Sequence, residues 1–207
     1  MNRVLEVLAQ LLQRSILHRL IREARPASPF WNVFKSLVTM AIWWTVFFGA
    51  IPFFIVAGEN FSELNHWRLN SLWQMFIGWP LFSLCGALGI WSSMTMAICG
   101  HGTLLPIDCA SQLVVAGPYR WVRNPMGVSA IWQGASVALL HGSVFVFAYV
   151  MCGLAILETV IRPWEERDLE KRFGVEYVKY KDNARCWTPR RTPYSNISHD
   201  DCGESIL

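Results

Sequence analysis

Three stretches without a single Asp, Glu, Lys or Arg, residues 36–58, 69–107 and 124–157, constrain this chain more than anything else in it. In hydrocarbon every backbone N–H and C=O must be satisfied within the protein, so uncharged runs of this length imply transmembrane helices. About 20 apolar residues cross roughly 30 Å of hydrocarbon. The first run fits one crossing, over 37–57, and the second fits one with margin, over 72–98. The third is interrupted at His141-Gly142-Ser143. It reads as two helices, 125–140 and 143–161, joined by a tight turn, the first of them short for a full crossing. Composition agrees: 16% of the 207 residues are charged and 53% are hydrophobic, against about 25% charged in soluble domains. The mean hydropathy is +0.30. The 11 Trp residues suit the membrane boundary, where the ring is in an apolar phase and its N–H finds a polar partner. The expected fold is all-α: a multi-pass integral membrane helical bundle of four, or five, transmembrane helices with cytoplasmic C-terminal helices. A disordered chain, a coiled coil and a large multidomain enzyme are excluded.

The positive charge is sided. Of the 18 Lys and Arg residues, 17 lie in the stretch up to Lys35, in the 100–125 loop or in the tail from Arg162 onward, and Arg68 alone lies on the other side. Positive residues in short connections resist translocation, so both termini are expected in the cytoplasm, of a bacterial inner membrane or an endoplasmic reticulum. The net charge of +3 then faces anionic headgroups, and nucleic acid is not implied. Val4, Leu5, Leu8, Leu11, Leu12, Ile16, Leu20 and Ile21 recur at helical spacing with arginines largely off that stripe. This predicts an amphipathic helix in the interface plane, not a secretory signal. The expected organisation is an N-terminal interfacial helix and linker over 1–36, a membrane domain over 37–191, and a polar, disordered tail over 192–207.

Six scattered cysteines make no C-x-x-C and no pair of histidines has ligand spacing, so neither a metal site nor a disulfide framework is expected, and all six thiols should be free. Nothing resembles a nucleophile elbow. Gly78, Gly86, Gly89 and Ser93 give the second helix a small face suited to close packing or, with Pro80, to a groove. Glu158 and Arg162 have i,i+4 spacing.

The informative stretch follows the second helix. In Gly117-Pro118-Tyr119-Arg120-Trp121-Val122-Arg123-Asn124-Pro125-Met126 a turn, two aromatics and two arginines abut a helix starting at Pro125. A helix N-terminus beside Arg123 can hold an anion. Beyond the last membrane helix, Pro163 to Gly174 reads as a helix with Glu165 and Glu166 in its first turn and an end at Gly174. Tyr177, Tyr180, Arg185 and Pro189-Arg190 follow.

In this order, Gly100-His101-Gly102, Leu113-Val114, GPYRWVRNPM, EERDLEKRFGVEYVKY and the closing Arg185 resemble the C-terminal half of the isoprenylcysteine carboxyl methyltransferase and phospholipid methyltransferase family. The resemblance covers about 100–191. It implies S-adenosylmethionine as cofactor, in a site open to the cytosol and laterally to a lipophilic small-molecule or lipidated acceptor among membrane lipids. Carried onto matching positions, it implies cofactor contacts at Leu113, Val114, Gly117, Tyr119, Arg123, Asn124, Pro125, Glu165, Glu166, Tyr177 and Tyr180. Arg185, Glu166 and Asn124 become the candidate catalytic residues, and no metal is implied. A carboxylate acceptor held by Arg185 would need no base, whereas an amine would have to lose a proton, for example to Glu166. No G-x-G-x-x-G follows a strand, which excludes a Rossmann methyltransferase.

The chain departs from the family pattern where it has Asn124 for a common His and Gly127 for a common Tyr. The lost ring removes one pocket wall or leaves room for another acceptor. Two alternatives stay open: a nicotinamide-dependent enzyme of the sterol reductase type, which shares an Arg-His-Pro-Asn-Tyr-like segment, and a non-catalytic scaffold.

Overall fold

The structure, a computed structural model, describes residues 28–62, 64, 68–69, 71–101 and 110–194. The expected N-terminal interfacial helix, Gly102 and the tail beyond Tyr194 lie outside the described residues. Four helices account for most of the rest, and no strand occurs among the described residues. They are α1 (Pro29–Phe61), α2 (Leu72–Cys99), α3 (Pro125–His141) and α4 (Val144–Asn183).

α1, α2 and α4 are each long and apolar enough to cross a membrane. α3, at 17 residues, spans roughly 25 Å at about 1.5 Å per residue, less than the roughly 30 Å of hydrocarbon. Only 6% of the most apolar windows of α1 and α4 is buried inside the protein. Phe54, Trp73 and Phe76 are among many large apolar side chains left exposed. In water such a surface would aggregate, whereas in a bilayer lipid covers it.

α1 begins at Pro29, upstream of the charge-free run. The Ser28 hydroxyl accepts from the Trp31 N–H at 3.3 Å, and Pro29 takes the first helical position, where a missing N–H costs nothing. Two helices carry a π turn, Trp44–Ala50 in α1 and Leu157–Ile161 in α4. Each lies directly ahead of a proline, Pro52 or Pro163. A proline inside a helix removes one donor and crowds the carbonyl four residues back, here that of Phe48 or Thr159, and widening the turn relieves both.

The bundle interior is small and polar, as expected where lipid supplies no hydrophobic drive between helices. A Cβ on Gly89 would lie 2.6 Å from Ser129 Oγ, and one on Gly78 would lie 2.6 Å from the Leu140 side chain. The small face of α2 is therefore a close-packing surface against α3, and the groove expected as its alternative is absent there. Ser129 Oγ donates to the Cys85 carbonyl at 2.6 Å, and Gln74 Nε2 donates to Leu139 O at 2.9 Å, tying α2 to α3 at both ends. The α3–α4 turn is held at Gly142, which has φ +60° and whose backbone passes so near Leu69 that no Cβ would fit. Beside it, the buried Glu59 at the end of α1 accepts from Ser143 Oγ, and Arg68 Nε lies 3.4 Å from the other carboxylate oxygen.

Cys85, Cys152 and Cys186 are free. Cys99 is disulfide-bonded, contrary to the expectation of six free thiols. Spacing along the chain missed it because none of the six cysteines forms a C-x-x-C or another paired pattern that would mark a bridge.

Candidate functional site

Most of the residues singled out in the sequence gather at the end of the bundle where α2 stops, α3 starts and α4 leaves its apolar stretch. Residues 113–116 lie in neither helix nor strand, and their side chains alternate between two packing clusters. Leu113 and Val115 pack with Tyr177, Tyr180 and Ala184, while Val114 and Ala116 pack with Cys99 and Tyr119. All four are buried. Their side chains are committed to packing, so the backbone is what this segment could offer a ligand. At Gly117 the chain turns with φ +52°, and a Cβ there would meet Thr95 Oγ1 at 2.8 Å. Both facts require glycine.

The turn delivers Tyr119 into the interior, 6% exposed. Its carbonyl accepts from Tyr180 Oη at 2.6 Å. Burial pushes the Tyr119 phenol well above its usual range, with Glu165 and Tyr180 adding to the effect, so this side chain stays a neutral phenol.

Arg123 is the anchor of the site. Its Nη2 lies 2.7 Å from Glu166 Oε1, its Nη1 donates to the Lys181 carbonyl at 3.0 Å, and its backbone N–H donates to Arg185 O at 2.9 Å. Glu166 is shared: Arg162 Nη1 approaches Oε1 at 3.3 Å and Lys181 Nζ lies 2.9 Å from Oε2. Three cations thus converge on one carboxylate that keeps 15% of its side-chain surface. Oxygens so engaged have little capacity left to accept a proton. Arg162 also pairs with Glu158, as the i,i+4 spacing predicts.

Lys181 lies 15 positions beyond Glu166, which in a straight helix would separate them by roughly 22 Å. They touch because Gly174, at φ 52° and ψ −126°, breaks α4 and folds its last turns back. The sequence-based expectation of a helix end at Gly174 is met in this form. The fold-back also buries Tyr177 and Tyr180, whose ring centroids are 6.5 Å apart.

Glu165 behaves differently from its neighbour. It is exposed, makes no ion pair with any described residue, and lies within electrostatic reach of Tyr119 and Tyr177. Asn124 caps α3, its Oδ1 accepting from Gly127 N–H at 2.8 Å. Part of the anion-binding capacity of that N-terminus is therefore already used by the protein itself. Arg185 contributes its backbone carbonyl to Arg123, while its side chain is exposed.

Sequence reasoning gave Trp187, which follows Arg185 in the same segment, no role. Its ring lies against Gly127, where an added Cβ would be 2.8 Å from the ring, and its Nε1 donates to Glu158 Oε2 at 3.1 Å. The space beside Gly127 is thus filled by an aromatic ring from the segment that follows α4. The paired signals, a glycine for an aromatic and a spare tryptophan downstream, were both present, but only folding joins them. That segment is tied on by further bonds: Asn124 N–H to Cys186 O (3.3 Å), Arg190 N–H to Trp121 O (2.9 Å) and Tyr194 N–H to Arg120 O (2.8 Å). Among the described residues no group of three His, Cys, Asp or Glu could hold a metal.

A helical membrane protein with a polar cluster at one end of its bundle is the class this architecture defines. Residues 73–176, half of the chain, match the phospholipid methyltransferase family, and the chain belongs to that family of membrane methyltransferases. The matched region runs from the start of α2 through Tyr177's neighbour Glu176 and includes Arg123, Glu165 and Glu166. No curated protein matches the chain.

Proposed function

We propose that the protein transfers a methyl group from S-adenosylmethionine to a lipophilic or lipidated acceptor, either a carboxylate of the isoprenylcysteine kind or a headgroup amine. The family match carries this reading. When bound, the cofactor supplies an electrophilic methyl on a sulfonium. The chain's task is to position two reactants and exclude water, for which no catalytic triad is required.

The available groups fit such a molecule. Glu165, an exposed carboxylate without a cation, suits an ammonium or ribose hydroxyls, and the buried Tyr119 and Tyr177 back that position as packed rings. The backbone of 113–117 can reach an adenine edge, since its side chains point away into packing. Arg185, whose guanidinium is exposed, can take a carboxylate of cofactor or acceptor. Arg123 and Glu166 act as the frame holding these elements, and Asn124 and Pro125 define the start of α3. Because Glu166 is saturated by cations, an amine acceptor would have to lose its proton to a group other than Glu166. Four crossings with both termini in the cytoplasm would put this end of the bundle at the cytosolic face, with cofactor entering from water.

Calorimetry with S-adenosylhomocysteine on detergent-purified protein tests the reading. Micromolar binding that is lost in Glu165→Gln, with no binding of NADPH, is the expected result. Binding of NADPH instead would transfer the chain to reductase chemistry. Binding of neither by folded protein would leave a scaffold without turnover.

A further inference from the structure

Between α3 and α4 lies an open groove of about 660 Å³, lined by Ile131, Trp132, Met151 and Leu154, with Glu158, Thr159 and Trp187 at one end. Its size falls within the roughly 300–1,000 Å³ typical of small-molecule sites. Polarity is confined to that one end, while the rest of the wall is hydrocarbon side chain. Such a wall in a membrane bundle matches an amphiphile lying with its chain along the helices and its head at the polar end. That end is continuous with the cluster built on Arg123 and Glu166, because Arg162 pairs with both Glu158 and Glu166. Trp187 stands between the two regions. One part of its ring rests on Gly127 at the start of α3, its N–H is tied to Glu158, and it also lines the groove.

We infer that the α3–α4 groove seats the hydrocarbon chain of the methyl acceptor, and that Trp187 on Gly127 forms the floor that fixes how far the chain can advance toward the polar cluster. This rests on the methyltransferase reading for the word acceptor, but the groove and its floor are testable without turnover. A tyrosine at position 127 would claim the place that the ring of Trp187 now takes. The Gly127–Trp187 pair therefore sets the acceptor's depth from the C-terminal segment and not from α3.

The test uses the full chain in phosphatidylcholine nanodiscs with a small fraction of phosphatidylethanolamine carrying a diazirine on one acyl chain. After irradiation, labelled peptides are mapped by mass spectrometry. Labelling should be several-fold higher at Ile131, Trp132, Met151 and Leu154 than at Phe54 of α1 or Trp73 of α2, which see bulk lipid. Ala155→Trp, which fills the groove, should abolish the excess while S-adenosylhomocysteine affinity and melting temperature stay at their wild-type values. Trp187→Ala should extend labelling to Asn124–Met126, and Trp187→Phe, which keeps a ring, should not. Labelling equal on all lipid-facing helices, or an excess unaffected by Ala155→Trp, would overturn the proposal. Failure of S-adenosylhomocysteine to bind the wild type would instead remove the methyltransferase reading, with the labelling pattern still deciding the groove.

Discussion

Replacing Glu166 by Gln removes the one anion on which Arg123, Arg162 and Lys181 converge, at 2.7, 3.3 and 2.9 Å. Two unit charges about 4 Å apart interact by roughly 4 kcal/mol at an effective dielectric near 20. Breaking a buried pair typically costs about 3–5 kcal/mol, because the remaining charge is left without compensation. Two of the cations are less affected. Lys181 and Arg162 keep 34% and 26% of their side-chain surface and retain Glu170 and Glu158 as partners. Arg123, at 11%, keeps the Lys181 carbonyl and the Cys186 thiol but no other carboxylate among the described side-chain contacts. The loss should therefore come mainly from Arg123, about 3 kcal/mol, at the low end of the buried-pair range. For a chain of this size that lowers the melting temperature by roughly 6–12 °C. Tryptophan fluorescence melting in detergent, at one scan rate, reads it directly. Glu165→Gln is the control, since it breaks no ion pair described here and should melt within about 1–2 °C of the wild type, yet should lose S-adenosylhomocysteine binding. A Glu166→Gln protein as stable as the wild type, or a Glu165→Gln protein that is the less stable of the two, would refute this division of labour between adjacent carboxylates.

Three further outcomes follow from single contacts. Gly127→Ala drives a Cβ to 2.8 Å from both the Trp187 ring and Asn124 Nδ2, so it should cost about 1–3 kcal/mol by overpacking and shift the Trp187 fluorescence, measured against Trp187→Phe. Tyr180→Phe removes the 2.6 Å bond to the buried Tyr119 carbonyl and should destabilise by about 1–3 kcal/mol, seen in the same melt. Burial pushes the Cys186 thiol up, and Arg123 and Arg162 only partly oppose this. Its alkylation, followed on the Cys186 peptide, should thus be slower at neutral pH than in unfolded protein. A thiol raised on folding favours the folded state below its ordinary pKa, and this contribution is lost as pH rises through the raised value.

Much of this was legible because hydrocarbon imposes so few solutions. The charge-free runs located α2 to within a residue and the α3–α4 turn at Gly142, whose glycine is sterically required. The crossing expected over 37–57 lies inside α1, which starts earlier because Lys35 bounds the charge-free run but not the helix, and Ser28-Pro29 is a helix-start signal in its own right. The π turns could have been anticipated from Pro52 and Pro163, but not their width. Within the polar cluster, Arg162–Glu166 follows from i,i+4 spacing, whereas Lys181–Glu166 depends on the direction in which the chain leaves Gly174, and local pattern does not encode that. Glu165 and Glu166 look interchangeable in sequence, yet one helical step of about 100° turns one toward the cations and leaves the other exposed.

The four backbone bonds between 120–124 and 185–194 carry a temporal consequence. α1 through α3 can be threaded into the bilayer while the ribosome still holds everything after α4, and during that interval the amides of Arg123 and Asn124 and the bare flank of Gly127 have no cover. Only when residues near 190 emerge does the chain come back to the beginning of α3 and seal it. This end of the bundle is therefore completed by the segment that follows α4, after α1 to α4 are inserted, and a chain released before Arg185 would be a membrane-resident bundle whose polar end is still unfinished.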